Sequence, residues 1–122
     1  ATELHRHAPE KSEAAILTEL RAMHRTLTGL QCGDRLRLWF DRCPFDRTML
    51  ARILTLLDGM ADRPEVRLIA ADTVWDAAAF RQTWPEKILT AADFAAGSQG
   101  WRDYLRGAAP ETLLDFLYRA TP

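Results

Sequence analysis

The chain has 122 residues, of which 48% are hydrophobic, a length and composition that support one domain with one core. Its 16 basic and 17 acidic residues leave a net charge of -1 with no block of one sign, which argues against generic binding to a phosphate backbone. No run approaches the ~18 consecutive apolar residues that a membrane span requires, and the opening residues lack the order of a signal peptide. We therefore expect a protein that engages neither nucleic acid nor membrane.

In chain order, residues 1–11 carry charges, two histidines and a proline without periodicity, and read as a flexible arm. His5 and His7 form a His-x-His pair within it, a poor specific metal site on an unstructured arm. Residues 12–122 read as a single α/β domain. Ser12 is placed to cap a helix whose stripe Ile16, Leu17, Leu20, Met23 and Leu27 runs to about Thr28, and His24 lies one step off that stripe. After a turn bracketed by Gly29 and Gly33, the alternation from Arg35 to Phe40 predicts a strand. Proline and two aspartates fill the segment from Asp41 to Asp46, where Asp46 is the expected N-cap of a second helix. Met49, Leu50, Ile53, Leu54, Leu57 and Met60 mark its apolar stripe.

The apolar run from Val66 to Ala71 is a second strand. A strand, helix, strand unit of this kind crosses over to parallel neighbours, so Leu36, Leu38, Val66 and Leu68 are predicted to share one core. Helical pattern resumes at Asp76, flanked by Trp75 and Trp84, and breaks before Pro85. Thr90 is the next N-cap candidate, with Phe94, Ser98, Trp101 and Leu105 on one face, Gly97 and Gly100 as weak points and Gly107 as the stop. Pro110 suits the first turn of a last helix holding Leu113, Leu114, Leu117 and Tyr118. The expected fold class is thus α/β, a small parallel sheet built on a strand-helix-strand unit with an N-terminal helix and a helical C-terminal part. Two strands make a marginal sheet. A third must come from Glu86–Leu89, from an absent N-terminal segment or from a partner subunit, and the last two are favoured, which predicts a homodimer or another protein partner.

The run Leu36-Arg37-Leu38-Trp39-Phe40-Asp41, followed by Phe45-Asp46-Arg47-Thr48-Met49-Leu50, resembles the bacterial family known as domain of unknown function eighteen thirty-five. Trp101, Tyr104, Ala109 and Pro110 fall where that family shows an aromatic segment before a Pro-initiated helix. The resemblance implies an α/β fold and no established activity. The strand and Gly-Asp-Ser turn that usually open the family are not matched here, so the resemblance implies that this chain is the later part of a longer protein or a shortened member. The segment Trp39-Phe40-Asp41-Arg42-Cys43-Pro44-Phe45 is also similar to the turn that leads into a helix in glutaredoxins and the N-terminal domains of glutathione transferases. That likeness implies monothiol glutathione chemistry at Cys43, because Asp46 stands where a second cysteine would be.

Ligands of open parallel sheets gather beyond the carboxyl ends of the strands. That edge offers Asp41, Asp46 and Arg47 after the first strand and Asp72 after the second as ligand-binding candidates. Asp41 and Asp72 suit a metal or a hydroxylated ligand and Arg47 a carboxylate or phosphate. Turn roles for Asp41 and Asp72, a cap role for Asp46 and a solvated helix charge for Arg47 are the favoured reading of the same residues. Cys43 is a catalytic candidate only under the glutathione-linked reading. Cys32 and Cys43 are too few for a disulfide scaffold and match no zinc spacing, so a reducing cytoplasm is expected, with no metal and no cofactor. Fourteen of the sixteen basic residues are Arg, a bias that also arises from base composition. The preferred function is a non-catalytic interaction or regulatory module of bacterial origin.

Overall fold

In a computed structural model of the chain, residues 2–5, 13–70, 78, 81 and 84–118 are described. Strand β1 (Thr2–His5) leads to helix α1 (Glu13–Thr28), strand β2 (Arg35–Phe40), helix α2 (Pro44–Asp58) and strand β3 (Glu65–Ala70). Strand β4 (Lys87–Ile88), helix α3 (Ala91–Leu105), a 3₁₀ turn (Pro110–Thr112) and helix α4 (Asp115–Tyr118) follow. The strand order is β1-β2-β3-β4. The first three strands are parallel, and β4 closes the sheet antiparallel to β3. The protein is of the α/β class.

The alternation of β2 sends Leu36, Leu38 and Phe40 to one face, and the register Leu36↔Val66 and Leu38↔Leu68 places β3 residues beside the first two. All five are buried, as the parallel strand-helix-strand reading predicts. They join Leu27 of α1, the Leu50, Ile53, Leu54 and Leu57 stripe of α2, Phe94 of α3 and Leu113, Leu114 and Leu117 in one core. The opposite face carries a polar lattice. Arg37 reaches Glu86 at 2.7 Å, and Arg67 reaches Glu65 at 3.2 Å and Glu86 at 3.4 Å. Ile69, Trp39 and Trp84 form a small second cluster.

Three expectations are corrected. The opening residues are not an arm throughout, since Thr2–His5 pairs with β2 in parallel, Leu4 opposite Leu38. Four residues at a sheet edge are held by ladder hydrogen bonds, which leave little periodic signal in a sequence. The third strand therefore comes from the chain itself. Lys87–Ile88, the short candidate ranked second, adds a fourth through Arg67↔Ile88, so no partner is needed to complete the sheet. The last helix is broken: Leu113 is extended and Leu114 takes φ 63°, a left-handed conformation that costs a non-glycine residue about 1–2 kcal/mol. The break turns both leucines into the core.

Other signals hold. Thr90 forms a full capping box with Asp93, and Gly107 adopts φ 105° just past α3. Gly97 sits where α3 crosses α2; a Cβ there would lie 2.6 Å from Leu54 Cβ. Close helix packing accounts for a residue that weakens the helix it occupies. Asp72, Thr73, Trp75 and the start of the helix expected from Asp76 lie outside the described residues, as does Ser12.

Candidate functional site

The loop after β2 brings Asp41, Cys43, Asp46 and Arg47 together at the carboxyl edge of the sheet, while Asp72 lies outside the described residues. Cys43, not Asp46, is the N-cap of α2. Its Sγ accepts from the Asp46 amide at 3.4 Å, and Pro44 opens the helix. Proline needs no partner for a missing N–H at the first helical position, which moves the cap back to Cys43. Asp46 falls in the first turn, 0% exposed, and its Oδ2 accepts from the Asp41 amide at 2.9 Å. Asp41 Oδ1 in turn accepts from the Cys43 amide at 2.8 Å. The result is a variant of the capping box in which the first-turn carboxylate reaches two residues beyond the cap.

Donor atoms of Asp41, Cys43 and Asp46 lie within 4.8 Å of one another. A carboxylate, thiol, carboxylate trio can ligate a divalent cation once the thiol is ionised. Burial pushes the Cys43 thiol up to about 11; the Asp46 amide opposes this, and the thiol's hydrogen bond to Asp41 and the charges of both carboxylates add to it. A helix N-terminus ordinarily favours a thiolate, but here burial outweighs it, with the two carboxylates adding to the rise. The trio is accordingly bound up with the backbone of its own turn.

Arg47 is 6% exposed. Its Nε donates to the Arg42 carbonyl at 2.8 Å, and its Nη1 donates to the Leu113 carbonyl at 2.8 Å and to Asp115 Oδ1 at 2.7 Å. The guanidinium also lies 4.3 Å from the centroid of the Tyr118 ring. Arg47 thus fastens the start of α2 to the broken C-terminal segment, and the extended Leu113 presents the carbonyl it uses. The Tyr118 hydroxyl is buried with no hydrogen-bond partner among the described residues; burial first, then the Asp46 charge, drive its phenol well above the ordinary range despite Arg47. Asp115 and Tyr118 lie some seventy positions from Arg47, and no local pattern could have announced them.

A second concave surface was not anticipated. Leu20, Arg21, Met23 and His24 of α1, Thr48, Met49, Arg52, Ile53 and Leu56 of α2, and Trp101 of α3 enclose a groove of about 340 Å³. It exists because α1 parts from the core toward its N-terminus. Leu27 is fully buried, Met23 and Leu20 partly so, and Leu17 is 46% exposed. In the sequence, His24, one step off the apolar stripe of α1, is a residue already noted that lines the groove. Comparison with known proteins finds no matching family model, no matching curated protein and no matching solved structure. No helix among the described residues is long and apolar enough to cross a membrane.

Proposed function

We propose that this domain is a non-catalytic interaction or regulatory module of the uncharacterised family it resembles. One observation supports this above others: Arg47, the anion-binding candidate at the ligand edge, is buried and engaged by two carbonyls, a carboxylate and an aromatic ring of its own chain. Asp41 and Asp46 accept from amides of the same turn, so the described candidates at this edge, Asp41, Asp46 and Arg47, act as structural ties. Self-association as a homodimer belongs to this reading, with the outer side of β1, which ends the strand order, as the place for a second copy.

The rival reading, monothiol glutathione chemistry, draws on Cys43 standing at the N-cap of a helix opened by Pro44. A thiol held up to about 11 opposes it, because the thiolate is the nucleophile. Titration with glutathione, followed by thermal unfolding, separates the two. The module reading expects no shift. Stabilisation by about 2.7 kcal/mol at a hundredfold excess over the dissociation constant would establish a glutathione site in its place.

A further inference from the structure

We propose that the groove between α1, α2 and α3 is a docking site for an acidic amphipathic helix of a partner protein; this rests on the module reading and names its partner chemistry. The floor is apolar, formed by Leu20, Met23, Met49, Ile53, Leu56 and Trp101. Its charged lining residues are Arg21 and Arg52, with His24 beside them and no acidic residue among the lining. Neither arginine forms an ion pair among the described residues; Arg52 lies 5.7 Å from the Trp101 ring centroid. In a chain with slightly more acidic than basic residues, an apolar concavity whose charged lining is two arginines without ion pairs among the described residues calls for an occupant that is apolar on one side and anionic at its flanks.

Dimensions favour a helix over a compact ligand. From Met49 to Leu56 is seven positions on α2, about 10 Å along the axis, and Met49, Arg52, Ile53 and Leu56 all line the groove. A docked helix presenting apolar residues at i, i+3 or i+4, and i+7 spans the same length. The two methionines suit a floor that adapts to the side chains it receives. Acidic residues beside those anchors would meet Arg21 and Arg52 at the groove edge, where the attraction sets orientation and encounter rate and weakens with salt.

The test is selection from a displayed library of helical peptides whose i, i+4 and i+7 positions are fixed as Leu and whose flanking positions are randomised among Glu, Gln and Lys. The full chain is the bait. Glu should be enriched over Lys at the flanks. The selected peptide should perturb amide and indole resonances of Leu20, Ile53 and Trp101, and bind about tenfold more weakly to Arg21→Glu/Arg52→Glu. Arg21→Gln, a change at an exposed position, should weaken binding in the same direction if the double variant misfolds. Absence of charge preference, Lys enrichment, or unchanged binding to the folded variants would overturn the inference. Decanoate serves as the small-ligand probe: saturable shifts at the same residues with no peptide selected would replace the helix by an apolar carboxylate. Selected peptides that map elsewhere on the domain would sink the groove and leave the module reading standing.

Discussion

Replacing Arg47 by Met tests whether this side chain holds the fold together or waits for a ligand. Met keeps most of the apolar stem, so little cavity opens. The Leu113 carbonyl, which accepts from Nη1 at 2.8 Å in a buried setting, is left bare at a cost of about 1–3 kcal/mol. Loss of the contact with the Tyr118 ring adds about 0.5–2 kcal/mol. Asp115 is 53% exposed on its side chain and rehydrates, so its ion pair contributes only about 0–1 kcal/mol. The expected loss is about 3 kcal/mol, a fall in melting temperature of roughly 12 °C for a domain of this size. Asp115→Asn should lose less than about 1 kcal/mol. Urea unfolding of both variants with unchanged m-values measures the difference. If Arg47→Met unfolds within about 0.5 kcal/mol of the parent, the arginine is not a structural tie and the ligand-edge reading returns.

Cys43 should react with iodoacetamide more slowly than a free thiol at neutral pH, with its rate rising toward pH 11; fast neutral alkylation would contradict the raised thiol. Because the folded state binds that proton more tightly than the unfolded chain, the stability Cys43 contributes is complete below its ordinary value of 9.0 and is lost as pH climbs through about 11. Asp46→Ala should cost about 2 kcal/mol, since it strips the Asp41 amide of its acceptor as well as the helix end of a charge. Asn should recover the hydrogen bond but not the charge, and a loss in Ala below about 0.5 kcal/mol would mean the turn does not depend on Asp46. Gly97→Ala should destabilise by about 1–3 kcal/mol through overpacking against Leu54, despite its better helix propensity. A double-mutant cycle with Leu54→Ala that shows no coupling would refute the close approach. Self-association through β1 predicts a dimer at about tens of micromolar by sedimentation, the range in which modest interfaces still hold. A monomer there would remove the homodimer and leave the groove unaffected.

Sequence alone determined the elements whose side chains repeat: the stripes of α1 and α2, the alternation of β2, the apolar run of β3, and the Thr90 cap with its Gly107 stop. Each is a local rule, in which burial of one face imposes a period of 3.6 or 2 on neighbouring residues. Tertiary structure decided the rest. β1 and β4 are short, four and two residues, and pairing with a neighbour rather than periodicity makes them strands. Leu114 leaves the helical region because the core receives two adjacent leucines and because Arg47 takes the Leu113 carbonyl. Asp46 was recognisable as a helix-start residue, but whether it caps or reaches back to Asp41 depended on Pro44 taking the first helical position. The fate of Arg47 was the least readable of all, for the Leu113 carbonyl, the Asp115 carboxylate and the Tyr118 ring that engage it come from the far end of the chain. Long-range electrostatic and packing partners leave no periodic trace, and so only the folded chain shows that Asp41, Asp46 and Arg47 are tied inward while Arg21 and Arg52 line a groove between α1 and α2.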